Sequence, residues 1–272
     1  MQGVSSAPRA VPSLLACDRP WLIGVLHLPA LPGSPRAALP VDVVAAQAAT
    51  DAALLQDCGF TAVLIENFHD SPFRPGRVDP ETVAALAVVG AAVRGACGLP
   101  LGINVLRNDA LAALGIALAA GGSFLRVNVL AGAAVTDQGL VQGEADVLLR
   151  RRAALQAAHV AILADVDVKH ATSLDTRATA LRARDLVSRA GADAVLVTGQ
   201  ATGLPVDDGL LAEVAASVAP VPVLAASGVR ADSVAATLSR CAGVVVGTAL
   251  KNPGTGRVDR SRAAALVDSA RA

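Results

Sequence analysis

The stretch Val160-Ala161-Ile162-Leu163-Ala164-Asp165-Val166-Asp167-Val168-Lys169 decides the fold that this sequence predicts. It begins with five apolar residues, as in a strand buried on both faces, and its charged residues follow at the carboxyl end. Similar short apolar runs recur along the 272 residues: Leu22–His27, Ala62–Glu66, Leu101–Val105, Phe124–Val129, Ala194–Thr198, Val221–Ala226 and Gly243–Val246. Together with Val160–Val168, they give eight predicted strands.

Alanine-rich stretches with helical periodicity separate these strands. Between the first two strands, Val41, Val44, Ala48 and Leu55 recur at the spacing of an amphipathic helix. After the second strand, Asp79-Pro80-Glu81 has the N-cap residue, the first-position proline and the early acid of a helix start. Eight strand–helix units predict an α/β fold, a single-domain (β/α)8 TIM barrel over residues 21–272, after an N-terminal extension over residues 1–20.

The alternative architecture is an open, doubly wound sheet. Such sheets often bind nucleotides through a glycine-rich loop after the first strand. No G-x-G-x-x-G sequence follows the first strand here, and no G-x-x-x-x-G-K-[ST] sequence occurs in the chain. The closed barrel is therefore favoured.

The composition excludes several classes of protein. The 23 Lys and Arg residues balance the 23 Asp and Glu residues, and aromatic residues make up only 2%, which argues against a nucleic-acid partner. The four cysteines lie far apart, at Cys17, Cys58, Cys97 and Cys241, with none of the spacings of a zinc or disulfide scaffold. No uncharged run reaches the 18 to 20 residues, roughly, that a membrane span requires. We expect a cytoplasmic protein without an integral membrane segment.

Polar residues lie at the carboxyl ends of the predicted strands, where barrel enzymes place their active sites. Because side chains alternate along a strand, Asp165, Asp167 and Lys169 are predicted to share the face that points into the barrel. Burying this many polar groups for stability alone is costly, which favours a ligand site. The predicted catalytic residues are His27, Glu66, Asp165, Asp167 and Lys169. The predicted substrate-binding residues on strand ends are Asn104, Arg126, Asn128 and Thr198.

Short turns after the last two strands predict a phosphate site. Ser227-Gly228 and Gly247-Thr248 occupy corresponding places in the last two units, where many barrels bind phosphate through backbone N–H groups. Two longer loops, Phe68–Arg74 and Thr136–Gly139, are predicted to close over the site, with Asp137 contributing to substrate binding. The expected ligand is a phosphorylated small molecule.

Longer motifs resemble one protein family, the BtpA/SgcQ family, from about Trp21 to Asp259. The matching segments are Ile23–Pro29, Leu31–Pro35, Glu66–Phe68, Gly102–Asp109, Arg126–Asn128, Thr136–Gly139, Asp165–His170, Val197–Gly199, Ser227–Val229 and Val246–Lys251. The resemblance implies a phosphate-binding TIM barrel. The family is named for a role in photosystem I biogenesis, and other members lie beside sugar-metabolism genes.

Three functions are compatible with these residues. The first is acid/base chemistry of the isomerase or lyase type on a phosphorylated sugar-like or nucleotide-like molecule, with no cofactor; Lys169, if desolvated, can also form a Schiff base. The second is a divalent-metal-dependent hydrolase or lyase with His27, Glu66, Asp165, Asp167 and His170 as ligands, although Arg126 and Lys169 disfavour a cation there. The third is a non-catalytic assembly factor. An alanine- and glycine-rich face over Ala110–Gly122 suggests helix packing, and we expect a homo-oligomer.

Overall fold

Eight parallel strands close into a barrel in this structure, a computed structural model that describes residues 19–199 and 201–272. In chain order, the strands of the described residues are β1 (Trp21–His27), β2 (Ala62–Glu66), β3 (Leu101–Asn104), β4 (Phe124–Val127), β5 (Ala133–Thr136), β6 (Gly139–Gln142), β7 (Ala161–Asp165), β8 (Ala171–Ser173), β9 (Ala194–Val197), β10 (Val223–Ala225) and β11 (Gly243–Val246). The barrel order β1-β2-β3-β4-β7-β9-β10-β11 closes where β11 pairs with β1. The predicted (β/α)8 barrel is confirmed. Almost all of the predicted extension over residues 1–20 lies outside the described residues.

Helices surround the barrel, and α1 and the start of α2 lie where the sequence predicts them. Their bounds are α1 (Val41–Cys58), α2 (Pro80–Ala96), α3 (Ala110–Ala120), α4 (Ala145–Ala154), α5 (Thr179–Ser188), α6 (Asp208–Val218), α7 (Val234–Leu238) and α8 (Arg260–Arg271). In α1, the periodic residues Val44, Ala48 and Leu55 are buried against the barrel, as predicted. Helix α2 begins at Pro80 after the N-cap residue Asp79, because a proline at this position loses no helical hydrogen bond.

Apolar side chains fill the lower part of the barrel interior, at the amino ends of the strands. They come from alternate positions: Trp21, Ile23, Val25, Ala62, Leu64, Phe124, Ala161, Leu163, Ala194, Leu196, Leu224, Ala226 and Val245. The ring of Phe124 lies over its strand partner Gly102 on the neighbouring β3, where an added Cβ would lie 2.1 Å from the ring. The absence of a side chain at residue 102 therefore makes room for the largest fully buried side chain of this layer. This closed apolar layer forms the floor beneath the polar strand ends.

The small-residue face of α3 packs within the chain. Ala113, Ala117 and Ala120 are buried, and Ala120 lies close to Gly90 of α2. The short side chains bring the two helices close together. The packing surface predicted over Ala110–Gly122 is thus covered by a neighbouring helix of the same chain. Little of this face remains for contact with a second copy.

A second sheet, which the sequence analysis missed, lies beside the barrel mouth. Strands β5 and β6 form a hairpin, and β8 pairs with β5 on its other side. The predicted lid Thr136–Gly139 is the tip of this hairpin and not an irregular loop. Strand β7 also ends at Asp165, three residues before its predicted end, because the chain after Lys169 turns to form β8.

Candidate active site

Five polar side chains form a layer directly above the apolar floor of the barrel. These side chains belong to His27, Glu66, Asn104, Arg126 and Asp165. Each of the five lies two positions after a residue of its own strand that faces the barrel interior. The sheet register places His27 opposite Glu66, and Glu66 opposite Asn104. All except His27 are buried. The alternation of side chains predicted from the sequence therefore brings these five side chains together at the barrel mouth.

Arg126 is the centre of this layer. Its guanidinium donates to both carboxylate oxygens of Asp165 at 3.2 Å and lies 3.7 Å from Glu66. Asn128 donates a further hydrogen bond of 2.7 Å to Asp165. The Asp165 side chain is fully buried, so its oxygens are held by Arg126 and Asn128 and do not reach the cavity. Asp165 therefore orients Arg126, and the predicted role of Asp165 as a base that meets substrate does not fit its position.

Asn104 supports Arg126 from the neighbouring strand. Its side-chain amide donates to the backbone oxygen of Arg126 at 2.8 Å and to Asn128 Oδ1 at 3.3 Å. Asn104 is 1% exposed and does not line the cavity, so it contributes to the support of the site and not to its surface. Its Oδ1 atom has no partner among the described residues.

A cavity of about 420 Å³ opens above this layer and carries mostly positive charge. The basic side chains that line it are Arg36, Arg107, Arg126, Lys169 and Arg230. Among the described residues that line it, Glu66 is the single carboxylate. Burial raises the pKa of Glu66, while the nearby Arg126 opposes that rise. The cavity thus combines an anion-attracting wall with one carboxyl group suited to proton exchange.

Lys169 contributes the amine of this wall. Its Nζ makes no hydrogen bond and no ion pair within 4 Å among the described residues. Burial, together with the charge of Arg126, lowers its pKa to about 8. Arg107 fixes the backbone here by donating a 2.6 Å hydrogen bond to the Lys169 carbonyl oxygen. The amine is therefore held at a defined place while its nitrogen remains available.

His27 lies across the cavity in an apolar setting. Its ring stacks on Phe68 with centroids 4.1 Å apart and planes 14° apart. Burial, and then the charge of Lys251, lowers the pKa of His27 well below its usual value. His27 is therefore neutral at physiological pH, which suits a hydrogen-bonding role better than a charged one.

The loop that carries Phe68 is fixed by the adjoining Asn67. The Asn67 side chain accepts from the Leu106 N–H at 2.7 Å and donates to Asp70 at 2.9 Å. Asp70 in turn accepts a 2.7 Å hydrogen bond from the Leu31 N–H. The loops after β1, β2 and β3 are thereby joined beneath the predicted lid Phe68–Arg74.

The loops after β10 and β11 line the end of the cavity next to His27 on β1. Gly228 has a φ of +65°, and a Cβ there would lie 2.4 Å from the Leu204 carbonyl carbon, so only glycine fits. The Ser227 hydroxyl donates to the Leu204 oxygen at 2.6 Å, which holds the turn. Within the described part of the chain, the N–H groups of Gly228 and Val229 have no acceptor. Gly247 and Thr248 line the same end.

Three further predicted site residues, in addition to Asp165 and Asn104, lie outside this cavity. Asp167 forms an ion pair with Arg182 of α5, with one hydrogen bond of 2.8 Å, so the prediction that it shares a face with Asp165 and Lys169 is wrong. The alternation stops because β7 ends at Asp165. Thr198 donates to the Asp167 backbone oxygen and lines a separate cavity next to α6. Asp137 is exposed at the hairpin tip, 3.8 Å from Arg107.

The alternative metal set does not come together. Asp167 is held by Arg182, Asp165 by Arg126, and His170 lies 3.2 Å from Thr202. Among the residues that the structure describes, no group of three His, Cys, Asp or Glu side chains has the arrangement of a metal site. The five proposed ligands therefore do not fit a shared divalent cation.

Four residues at this site were missed in the sequence analysis: Arg36, Phe68, Arg107 and Lys251 as functional groups. Lys251 is buried, and its Nζ donates to the Val25 carbonyl oxygen at 2.8 Å. Burial lowers its pKa to about 8. The composition contained a signal that could have drawn attention to Lys251, because it and Lys169 are the two lysines of the chain. Arg107 lies outside the strands, so the alternation of side chains along a strand does not predict where its side chain points.

Comparison with known proteins places this site in a family. The sequence model of the BtpA family matches residues 18–272. The chain belongs to the BtpA family. It is 44% identical over 256 residues to an uncharacterized protein of Thermococcus kodakarensis, covering 93% of this chain and 96% of that one. It is also 40% identical over 252 residues to the photosystem I biogenesis protein BtpA of Synechocystis, covering 91% and 87%.

Solved structures resemble this BtpA-family barrel in fold. They include a tryptophan synthase from M. tuberculosis (TM-score 0.62, 19% identity, 98% of this chain and 100% of that chain). A phosphoribosylanthranilate isomerase from Pyrococcus furiosus has a TM-score of 0.58 at 13% identity (92% and 98%). An N-acetylmannosamine-6-phosphate 2-epimerase from Clostridium perfringens has a TM-score of 0.55 at 15% identity (93% and 96%). At these identities the likeness shows the TIM-barrel fold alone.

The family name raises the question of membrane association. The described part of the chain contains no helix with the length and apolar character to cross a bilayer.

Proposed function

We propose that this protein is an enzyme that binds a phosphorylated sugar-like or nucleotide-like small molecule at the barrel mouth and transforms it by isomerase- or lyase-type acid/base chemistry. The observation that carries the proposal is the charge of the cavity wall, with five basic side chains and one carboxylate. Such a wall concentrates anionic ligands and stabilises negative charge that develops during a reaction. The solved structures of similar fold include an isomerase and an epimerase of phosphorylated substrates, and this supports the choice of ligand.

The phosphate end of the ligand is assigned to the last two loops. Gly228, Val229, Gly247 and Thr248 line the cavity, and the N–H groups of Gly228 and Val229 have no acceptor within residues 19–199 and 201–272. Phosphate oxygens are well suited to such free backbone donors, and glycine allows them to approach closely. Arg230 lies at the same end, where its partner Asp232 is exposed and the pair is weak.

The reacting end of the ligand is assigned to Glu66, Arg126 and Lys169. Glu66 has a raised pKa and Lys169 a lowered one, so the two groups can exchange protons near neutral pH. Arg126 is held rigidly by Asp165 and faces the cavity, where it can stabilise a developing oxyanion. Isomerisation and carbon–carbon cleavage next to a carbonyl group can both use this combination.

Thermal unfolding against a ligand panel tests the proposal. The panel contains inorganic phosphate, triose, pentose and hexose phosphates, their unphosphorylated counterparts, mononucleotides and divalent cations. A ligand at 100 times its Kd adds about 2.7 kcal/mol of stability. The variant Thr248→Glu places a negative charge at the phosphate end, and Thr255→Glu, on an exposed turn, is the matched control.

We expect a phosphorylated ligand to raise the unfolding temperature of the wild type and of Thr255→Glu, but not of Thr248→Glu. Equal stabilisation of both variants would contradict the assignment of the phosphate end. No response to any phosphorylated compound would contradict the proposed function and favour the assembly role. A response to a divalent cation alone would favour metal-dependent chemistry.

A further inference from the structure

The use of lysine in this chain is unusually sparse and concentrated. Of its 23 Lys and Arg residues, two are lysine, Lys169 and Lys251. Both lie at the carboxyl end of the barrel, one after β7 and the other after β11. Arginine can replace lysine wherever only a positive charge is needed, but it stays protonated and does not act as a nucleophile. A lysine retained in such a chain marks a position where the amine itself is used.

The two lysines differ in what their amines contact. Lys251 Nζ donates to the Val25 carbonyl oxygen at 2.8 Å and does not line the cavity. Lys169 lines the cavity, and its Nζ has no hydrogen-bond partner and no carboxylate within 4 Å among the described residues. Lys251 thus has a structural contact, whereas Lys169 presents an unengaged amine to the ligand space.

The neutral form of Lys169 is accessible near physiological pH. Burial and the neighbouring Arg126 lower its pKa to about 8. At pH 7 about 10% of such amines are neutral, compared with about 0.03% for an ordinary lysine. A neutral amine is the nucleophile that attacks carbonyl carbon.

We propose that Lys169 forms an imine with the carbonyl group of a phosphorylated aldehyde or ketone, whose phosphate occupies the loops at Gly228 and Thr248. This inference rests on the proposed function and narrows its substrate class to phosphorylated carbonyl compounds. The cavity contains the two other groups that the step requires: Glu66 for proton transfer and Arg126 for the negatively polarised oxygen.

The steps balance without an oxidant or a cofactor. The Nζ lone pair forms a bond to the carbonyl carbon, and the amine proton moves to the oxygen to give a carbinolamine. Protonated Glu66 donates its proton to the carbinolamine hydroxyl, which leaves as water while the nitrogen lone pair forms the C=N bond. In an isomerisation, the Glu66 carboxylate then removes a proton from the adjacent carbon, and the C–H electron pair moves to the iminium nitrogen to give an enamine. In a cleavage, Glu66 instead removes the proton of the β-hydroxyl; the O–H electron pair forms a C=O bond, the bond between the α and β carbons breaks, its electrons move to the iminium nitrogen to give the enamine, and the carbonyl fragment leaves. Protonation of the enamine and hydrolysis return the product and free Lys169.

Reductive trapping tests this inference on the intact chain. The protein is incubated with dihydroxyacetone phosphate, or with dihydroxyacetone as the phosphate-free control, in the presence of cyanoborohydride, and the modified lysine is located by mass spectrometry. Lys251 is an internal control, since it is buried with a similar pKa but has its amine bonded to Val25. Lys169→Arg keeps the charge and removes the nucleophile.

We expect one adduct per chain at Lys169, formed about tenfold or more faster with the phosphorylated compound than with its control. Inorganic phosphate should slow the trapping, and Lys169→Arg should give no adduct. Binding of the phosphorylated compound, measured by calorimetry on the same sample, without an adduct at Lys169 would overturn the imine and leave the proposed function intact. Neither binding nor adduct would overturn both. Equal labelling by both compounds, or labelling of Lys251, would also overturn the imine.

Discussion

The lower and upper layers of the barrel interior are built from the same strands and have opposite chemistry. Arg126 lies two positions after Phe124, and Asp165 lies two positions after Leu163, yet the first of each pair is apolar and the second charged. Both layers are buried. In the lower layer the fit of Phe124 against Gly102 closes the barrel. In the upper layer, ion pairs and hydrogen bonds make buried charge tolerable.

The two layers therefore contribute differently to the stability of the fold. The floor needs only shape and apolar surface, so it contributes to folding without constraining the ligand. The mouth carries charges whose burial is unfavourable unless each has a partner. Asp165 and Arg126 are matched in this way, whereas Lys169 is not. A partly buried cation at a cavity wall, with no partner among the described residues, is more readily explained by ligand chemistry than by stability.

The largest effect is expected in the floor. Phe124→Ala removes a fully buried ring and leaves a cavity beside Gly102, which should lower the free energy of unfolding by about 3–5 kcal/mol. Chemical denaturation with urea measures this change. Phe73→Ala, at the rim of the cavity, is the control and should change stability much less. Similar losses for the two variants would contradict the distinction between floor and mouth.

The next effect concerns the ion pair of the mouth. Asp165→Ala leaves the Arg126 guanidinium buried with only Glu66 at 3.7 Å, and we expect a loss of about 3 kcal/mol. Asp167→Ala breaks a pair in which the aspartate is 39% exposed, so solvent screening should limit its loss to less than about 1 kcal/mol. Denaturation of the two variants under one set of conditions compares them. A larger loss for Asp167→Ala would show that the buried layer is wrongly assigned.

A smaller effect of opposite sign is expected at Lys169. Its folded pKa of about 8 lies below the 10.5 of the unfolded chain. Below pH 8 both states are protonated and the folded state carries the full cost of the buried charge. Between about pH 8 and 10.5 only the unfolded state is protonated, so stability rises with pH. Lys169→Met should therefore be about 1–2 kcal/mol more stable than wild type at pH 7.

The pH dependence of this difference is the decisive part of that measurement. The stability gap between Lys169→Met and wild type should narrow as the pH rises from 8 to 10.5. Urea titrations at three pH values within and below this window determine the gap. A gap that is constant with pH, or a variant less stable than wild type at pH 7, would show that the Lys169 amine is not destabilised in the folded protein.

The smallest effect is expected at the hairpin tip. Asp137→Asn removes an exposed partner that lies 3.8 Å from Arg107, so the free energy of unfolding should change by less than about 0.5 kcal/mol. Ligand binding should change little as well, because Asp137 does not line the cavity. Calorimetric titration of a phosphorylated ligand measures the second effect. A loss of affinity of tenfold or more would restore Asp137 to the binding residues.

Much of this arrangement was predictable from alternation along short strands. His27, Glu66, Arg126 and Asp165 converge because each continues the interior-facing period of its own strand. Alternation no longer predicts the direction of a side chain beyond the end of its strand. Asp167 and Thr198 lie beyond the last paired residues of β7 and β9, and their side chains do not point into the cavity. Strand length depends on the neighbouring hairpin, which is a tertiary contact that a local pattern does not contain.

Roles within the cluster were harder to predict than its members. Asp165 and Glu66 are both strand-end carboxylates, and only the contacts of Arg126 and Asn128 show that Asp165 is occupied while Glu66 faces the cavity. Arg107 reaches the site from a non-strand segment and bonds to a backbone oxygen, which no side-chain pattern reveals.

The crystal structure of the protein with dihydroxyacetone phosphate bound is the most direct test of the central claim that the barrel mouth is an anion site. The account predicts phosphate oxygens within hydrogen-bond distance of the Gly228 and Thr248 N–H groups, and the ligand's carbonyl carbon next to Lys169 Nζ. Phosphate bound outside this cavity, or an empty mouth at saturating ligand, would contradict it.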